Sequence, residues 1–538
     1  MQLQKMKEGT PRRVRASVKT GCAIALMMAA AMSGAANQAS AQQTNFVIPG
    51  DDDSPPPCAP NFANMTTSRS TVTLGQSATL QWTVLVPSGC PMPSLYLRDS
   101  LTGQSIPVDA EDSLVVTPSV ATTYTLRTLQ TTLRSKTVNV TVPTDGTGTV
   151  VTITANHQQQ LLIQALGVPN MTVVVQNHVQ MDLSNYPWVP IAGGVRFQGG
   201  RTPRQPGARF YLRYNADRPH LTPMFRVLGD NVRISGLRFD GGDPTYSKGP
   251  RCLFDDGWPE CRIDVGILVV SMRDVEIFNN EFTGWSSSGL RILDFYERLD
   301  RFTPAAVWIH ENFFHHNERV SKGYGVNVGD GAYALIEKNV FDYNRHAIAS
   351  DGTPGTGYFA HKNLVLEHGG KQTDVFGVDF YTHQFDMHGT DDCGIFAGDT
   401  TNNCGPAGEL VDVRDNSFYN EHGPSFKIRG TPSIGAFVIS NVSDQFRDLY
   451  QQHETGMIES ENIIRIRGQG SCDFDGDGLD DEFMTTGRTW WFNSGGDRHW
   501  VYLHASTLHI AGLMLRDVTG DGKCDVVADG VTYPGGRP

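Results

Sequence analysis

Two short segments carry side chains that could act together on a polymer. His383-Gln384-Phe385-Asp386-Met387-His388-Gly389 and Ser425-Phe426-Lys427-Ile428-Arg429-Gly430 both alternate apolar with polar residues. A period of two turns Met387 and Ile428 to one face and their neighbours to the other. If the segments are adjacent strands, about 5 Å apart, then Asp386, His388, Lys427 and Arg429 share an outward surface. His383 and His346, the latter in Asn344-Arg345-His346-Ala347-Ile348-Ala349, fall near the strand entrances, and His346 points inward or to the strand edge.

Such a set suits β-elimination in a uronate polymer, which needs a neutraliser for the sugar carboxylate, a base for the C5 proton and an acid for the leaving oxygen. Arg429 is the natural carboxylate clamp. His388 or Lys427 is the base if neighbouring positive charge lowers its pKa. Asp386 orients the base or helps to hold a calcium ion. Hydrolysis would need two carboxylates flanking the bond, and Asp351, Asp379, Asp391 and Asp392 keep that alternative open. A zinc site is a third, with His346, His361, His383 and His388 converging, although no HExxH is present. The plain alternative is that Asp–Lys and His–Arg stacks are ordinary exposed ladders. No GxSxG, P-loop or dinucleotide fingerprint occurs.

Placing these residues requires a stack of coils. Val275-Glu276-Ile277-Phe278-Asn279-Asn280-Glu281-Phe282 is echoed by Val307–Phe314, Ala334–Phe341, Phe359–Val365, Val411–Phe418 and Phe437–Val442, and an earlier coil has Gly236 at the Asn place. The Asn positions are 280, 312, 339, 363, 416 and 441, with gaps of 32, 27, 24, 53 and 25 residues. Asn tolerates the left-handed turn between two strands, and stacked amides hydrogen-bond up the ladder. One coil cannot bury its apolar side alone, so several must stack. The gap of 53 marks an insertion at 366–409. Further strands are expected at Ser288–Leu293, Tyr324–Gly329, Arg345–Asp351, His383–Gly389 and Ser425–Gly430. Aligning Ile292, Val326, Ile348, Met387 and Ile428 gives two outward columns. One reads Arg291, Gly325, Ala347, Asp386, Lys427; the other reads Leu293, Asn327, Ala349, His388, Arg429. The repeats resemble the right-handed parallel β-helix of pectate-lyase-like carbohydrate-active proteins, which implies a groove on one sheet face flanked by long loops.

The expected architecture is all-β: a leader over 1–41, a linker over 42–59, a β-sandwich over 60–143, the β-helix over 149–455 and a small module over 470–530. Gly75-Gln76-Ser77-Ala78-Thr79-Leu80-Gln81-Trp82 and Ala121-Thr122-Thr123-Tyr124-Thr125-Leu126 resemble bacterial immunoglobulin-like modules, which implies a spacer or weak binding role. In the C-terminal module two loops follow D-x-[DT]-x-D-G-x-x-D. Asp473, Asp475, Asp477 and Asp481 in the first, and Asp517, Thr519, Asp521 and Asp525 in the second, are expected calcium ligands. These loops resemble FG-GAP/VCBS-type repeats.

Lys5, Lys7, Arg12, Arg13, Arg15 and Lys19, an apolar stretch and Ala39-Ser40-Ala41 read as a signal peptide. The eight cysteines after it suit an oxidising compartment, and proximity suggests Cys58–Cys90, Cys252–Cys261, Cys393–Cys404 and Cys472–Cys524. The net charge of −13 argues against nucleic acid as a partner. No segment after the leader is long and apolar enough to span a bilayer. The reading is an exported, calcium-binding protein with a polysaccharide partner. It is a lyase, with a hydrolase or a non-catalytic glycan- or matrix-binding surface protein as alternatives, and a monomer by default.

Overall fold

The structure is a computed structural model that describes residues 59–202, 204–213, 222–242, 264–319, 322–373, 378–389, 405–443, 450–452, 457–464, 467–494 and 500–535. The leader, the linker, Cys58, Cys252, Cys261, Cys393, Cys404, Asp391 and Asp392 lie outside the described residues.

The centre is a parallel β-helix of three long sheets. The first sheet runs from Val150–Ile153 to Met457–Ser460, the second from Gln180–Asp182 to Ile463–Ile464, and the third from Val189–Ile191 to Tyr450–Gln452. Each complete coil contributes one strand to each sheet, and every pairing within the three is parallel. Alternation decides which side chains enter the stack. Phe239, Phe282, Phe314 and Phe341 descend the second sheet as stacked rings 5.0, 4.9 and 5.2 Å apart. Val326, Ile348, Phe385 and Phe426 form the inward column of the third sheet, all buried. Helix Gln159–Leu166 packs Leu161, Leu162, Ala165 and Leu166 into the first coils.

The Asn ladder is continuous, and its details correct the expectation. The residue with positive φ is the one before each ladder Asn: Asn279, Glu311, Lys338, Lys362, Asp415 and Ser440, at φ between 54° and 60°. The ladder Asn itself is buried. Its Oδ1 accepts both the backbone N–H and the Nδ2–H of the preceding ladder Asn, as between Asn339 and Asn363 at 3.0 and 3.1 Å. Its Nδ2 also donates to a strand carbonyl of the previous coil, as Asn363 does to Ile336 at 2.8 Å. An amide placed to make these bonds must point inward, so the outward-facing neighbour takes the left-handed turn. Gly236 therefore occupies the turn place (φ 70°), and Leu237 stands beneath Asn280, whose Oδ1 accepts its N–H. The ladder also gains a member. Asn441 donates to Asn462, and with Met457–Ser460 and Ile463–Ile464 it carries the β-helix past the expected end at 455.

Ahead of the helix, a three-stranded sheet and a five-stranded sheet enclose a separate core that includes Leu80, Trp82, Leu97, Tyr124 and Leu126. Behind it, four antiparallel strands from Gly468–Cys472 to Trp500–Ala505 and three from Met514–Arg516 to Val531–Tyr533 are joined by the Cys472–Cys524 disulfide. Cys90 is also disulfide-bonded. The C-terminal module is no loose appendage. Trp491, Trp500 and Met484 cluster with Phe313, Val340 and Leu364 of the second sheet and with Leu366 and Tyr419 just after its strands.

Candidate functional site

The site lies on the third sheet, where Tyr324–Gly329, His346–Ser350, Phe385–Met387 and Phe426–Ile428 follow one another. Asp386 pairs directly with Lys427, as the alternation requires. The wider alignment differs. Val326 pairs with Leu290 rather than Ile292, and Ile348 with Phe385 rather than Met387. Both slips are of two residues, so every side chain keeps its face and only the rows move. The column through Asp386 is Arg291, Asn327, Ala349, Asp386, Lys427. Apolar pattern fixes parity. The row is fixed by backbone bonds such as Ile348 N–H to Gln384 O and His388 N–H to Ser350 O, which depend on coil length.

Asp386 is the hub. It is fully buried and receives four contacts. His383 Nε2 lies 2.9 Å from Oδ1 and His388 Nε2 lies 2.8 Å from Oδ2. Arg429 reaches Oδ2 through Nη2 at 2.7 Å and Oδ1 through Nε at 3.2 Å. Burial opposes the charge on Asp386, but His383, His388 and Arg429 outweigh it and hold its carboxyl well below the usual range. Burial is the main force on the histidines. It pushes His383 down to about 4 despite Asp386. It drives His346 well below its ordinary value, aided by Arg345 and His383. Both are neutral imidazoles at neutral pH, and the Arg429 guanidinium supplies a permanent positive charge beside Asp386.

His346 is more deeply engaged than the sequence suggests. It is fully buried and stacks on His383 with ring centroids 4.3 Å apart. Its Nδ1 lies 2.6 Å from the His383 carbonyl. A carbonyl only accepts, so Nδ1 carries the proton and Nε2 presents a lone pair. That Nε2 has no hydrogen-bond partner and stands 3.7 Å from Asp386 Oδ2. The strand entrance bends at Gln384, which brings His383 of one coil and His346 of the coil before onto the same carboxylate. The spacing of the histidines alone does not reveal this.

Lys427 is half-buried. Burial lowers its pKa first and Arg429 second, while Asp386 pulls it back up. The His388 side chain keeps 24% exposure against 7% for Arg429. His361 does not join the group. It sits on the first sheet beside Asp412, 3.6 Å away. Asp351 accepts the N–H groups of Asp330 and Thr353, and Asp379 pairs with Lys371 at 3.2 Å in the hairpin of Lys371–Thr373 and Asp379–Tyr381. Phe295, Tyr296 and Phe302 stand exposed on the loop after strand Ser288–Leu293.

The acidic loops fold as tight turns. Asp473 accepts the N–H groups of Gly476, Asp477 and Gly478, and Asp481 those of Phe474 and Asp475. In the second loop Asp517 and Asp525 repeat these roles, Asp525 accepting from Val518 and Thr519, and Asp521 accepts from Lys523. The loops differ in one contact that the sequence does not announce. Arg204, from the β-helix, reaches into the first. Its guanidinium pairs with Asp475, Asp477 and Asp481.

A family model described as disaggregatase-related matches residues 272–365, the coils that lead into the site and include His346. No curated protein and no solved structure matches the chain. No helix among the described residues is long and apolar enough to cross a membrane. The β-helix and the family match together fit a carbohydrate-active or surface protein.

Proposed function

We propose that this chain is an exported polysaccharide lyase that cleaves a uronate-containing polymer by β-elimination on the third-sheet face. The observation that carries the reading is the Asp386–Lys427 pair with His388 beside it. A half-buried amine with a lowered pKa pairs in register with the buried carboxylate that holds a partly exposed imidazole. Lys427 removes the C5 proton, and its lowered pKa places more of it in the basic form. His388, oriented by Asp386, gives a proton to the leaving oxygen at C4. The C4–O bond breaks as the C4=C5 double bond forms. Arg429 serves as an internal counter-ion for Asp386, since it is too buried to clamp a sugar carboxylate directly. Hydrolysis is less well supported, because Asp386 is buried with both oxygens engaged. Calcium is proposed for the two acidic loops, with Arg204 competing for the first.

The test is incubation of the intact protein with a panel of uronate polymers, reading absorbance of unsaturated ends and new reducing ends. If neither rises with any polymer, the enzyme reading is lost. A specific observation favours a second reading, a non-catalytic glycan-binding surface protein: Phe295, Tyr296 and Phe302 are exposed aromatics of the kind that mark binding surfaces. Retention on a polymer without cleavage would support that reading instead.

A further inference from the structure

We infer that His346, His383 and Asp386 form a binding site for a divalent first-row transition-metal ion of the zinc class. One ligand atom from each lies within 4.8 Å of the others, with His346 Nε2 3.7 Å and His383 Nε2 2.9 Å from Asp386 oxygens, and all three residues are buried. The independent sign is the His346 Nε2 lone pair. It is buried, aimed at the Asp386 carboxylate and without a hydrogen-bond partner. A buried acceptor left unmet costs free energy comparable to a lost hydrogen bond, and a cation between Nε2 and the carboxylate would satisfy it.

The surroundings suit ligation. A metal-bound imidazole commonly donates its other ring N–H to a carbonyl or similar acceptor, and His346 Nδ1 does so to the His383 carbonyl. His383 Nδ1 is met by the Thr382 hydroxyl at 3.1 Å. Arg429 holds Asp386 from its own side, with Nη2 3.5 Å from His383 Nε2, so the ion enters on the His346 side. On binding, the His383 ring proton moves from Nε2 to Nδ1, where the Thr382 hydroxyl accepts it, leaving two neutral imidazoles and one carboxylate. Two nitrogens and a carboxylate match zinc-type sites that keep an open position. Calcium, which takes six to eight oxygen ligands, does not fit. The site does not rest on the lyase reading.

The experiment is a Co2+ titration of chelator-stripped full-length protein, with excess Ca2+ present to occupy the acidic loops. One equivalent should bind with a visible d–d band, and Zn2+ should displace it. His346→Ala and His383→Ala should each abolish the band while keeping the wild-type circular dichroism. If either variant fails to fold, X-ray absorption of the zinc-loaded wild type decides, with two imidazoles expected in the inner shell. No band in the wild type, a band unchanged in both folded variants, or an all-oxygen shell overturns the site. The readout is the metal itself, so a protein inactive on every polymer still passes or fails this test.

Discussion

At the scale of single residues, the site is organised by one buried carboxylate rather than by an exposed row of charges. Asp386 draws His383, His388 and Arg429 to itself, which leaves Lys427 and His388 as the groups that can meet a substrate. Lys427→Ala should therefore lower turnover by about 10²–10⁴-fold, the usual range for loss of a general base, with the melting temperature little changed. Near-wild-type turnover would remove Lys427 from the chemistry. The buried histidines predict a pH effect in chelator-stripped protein. His383 falls from its ordinary 6.5 to about 4 on folding, so between those values the unfolded chain binds more protons than the folded one. Stability is then fully present above about 6.5 and is lost as pH falls towards 4. Asp386, also lowered, acts in the same direction at lower pH. The urea midpoint should be lower at pH 4.5 than at pH 7, and an equal or higher midpoint would contradict the assignment. The pairing of Asp386 with Lys427 was legible in the alternation alone. The convergence of His346 and His383 was legible only as an option that also counted His361, because its geometry depends on a bend at Gln384 and on a row offset that parity cannot detect.

At the scale of elements, the coil repeat was the most readable feature, since each coil must present both an apolar strand and a ladder amide. Its geometry was less so. An Asn in sequence could serve either as the left-handed turn residue or as the inward amide. Only the hydrogen bonds show that the second role wins and passes the turn to its neighbour. The Asn462 coil, Ile458-Glu459-Ser460-Glu461-Asn462-Ile463, lacks a Phe after its Asn, but so do the Asn363 and Asn441 coils, so the Phe does not mark the ladder. Asn363→Ala would leave the Asn339 backbone N–H without its side-chain acceptor and remove one bond each from Asn339 Nδ2, the Ile336 carbonyl and Asn416 Oδ1. It should cost about 1–3 kcal/mol, the range for one unmet buried group. Denaturant unfolding measures this, and a loss under about 0.5 kcal/mol, typical of a surface change, would show that the ladder is not a stabilising element.

At the scale of the whole molecule, the C-terminal module packs through Trp491 and Trp500 on the second sheet while Arg204 plugs its first acidic loop. The acidic spacing was visible in sequence; a guanidinium arriving from hundreds of residues away was not. Arg204→Ala should tighten Ca2+ binding at the first loop and leave the second unchanged, as read by calorimetric titration. Equal affinity in both proteins would mean that Arg204 and calcium do not share the loop. The central claim, elimination on the third-sheet face, is tested most directly by cleaving a uronate polymer in heavy-oxygen water and weighing the products. The account predicts unsaturated ends that carry no solvent oxygen, formed by the wild type and not by Lys427→Ala. Saturated products carrying the heavy oxygen would contradict it.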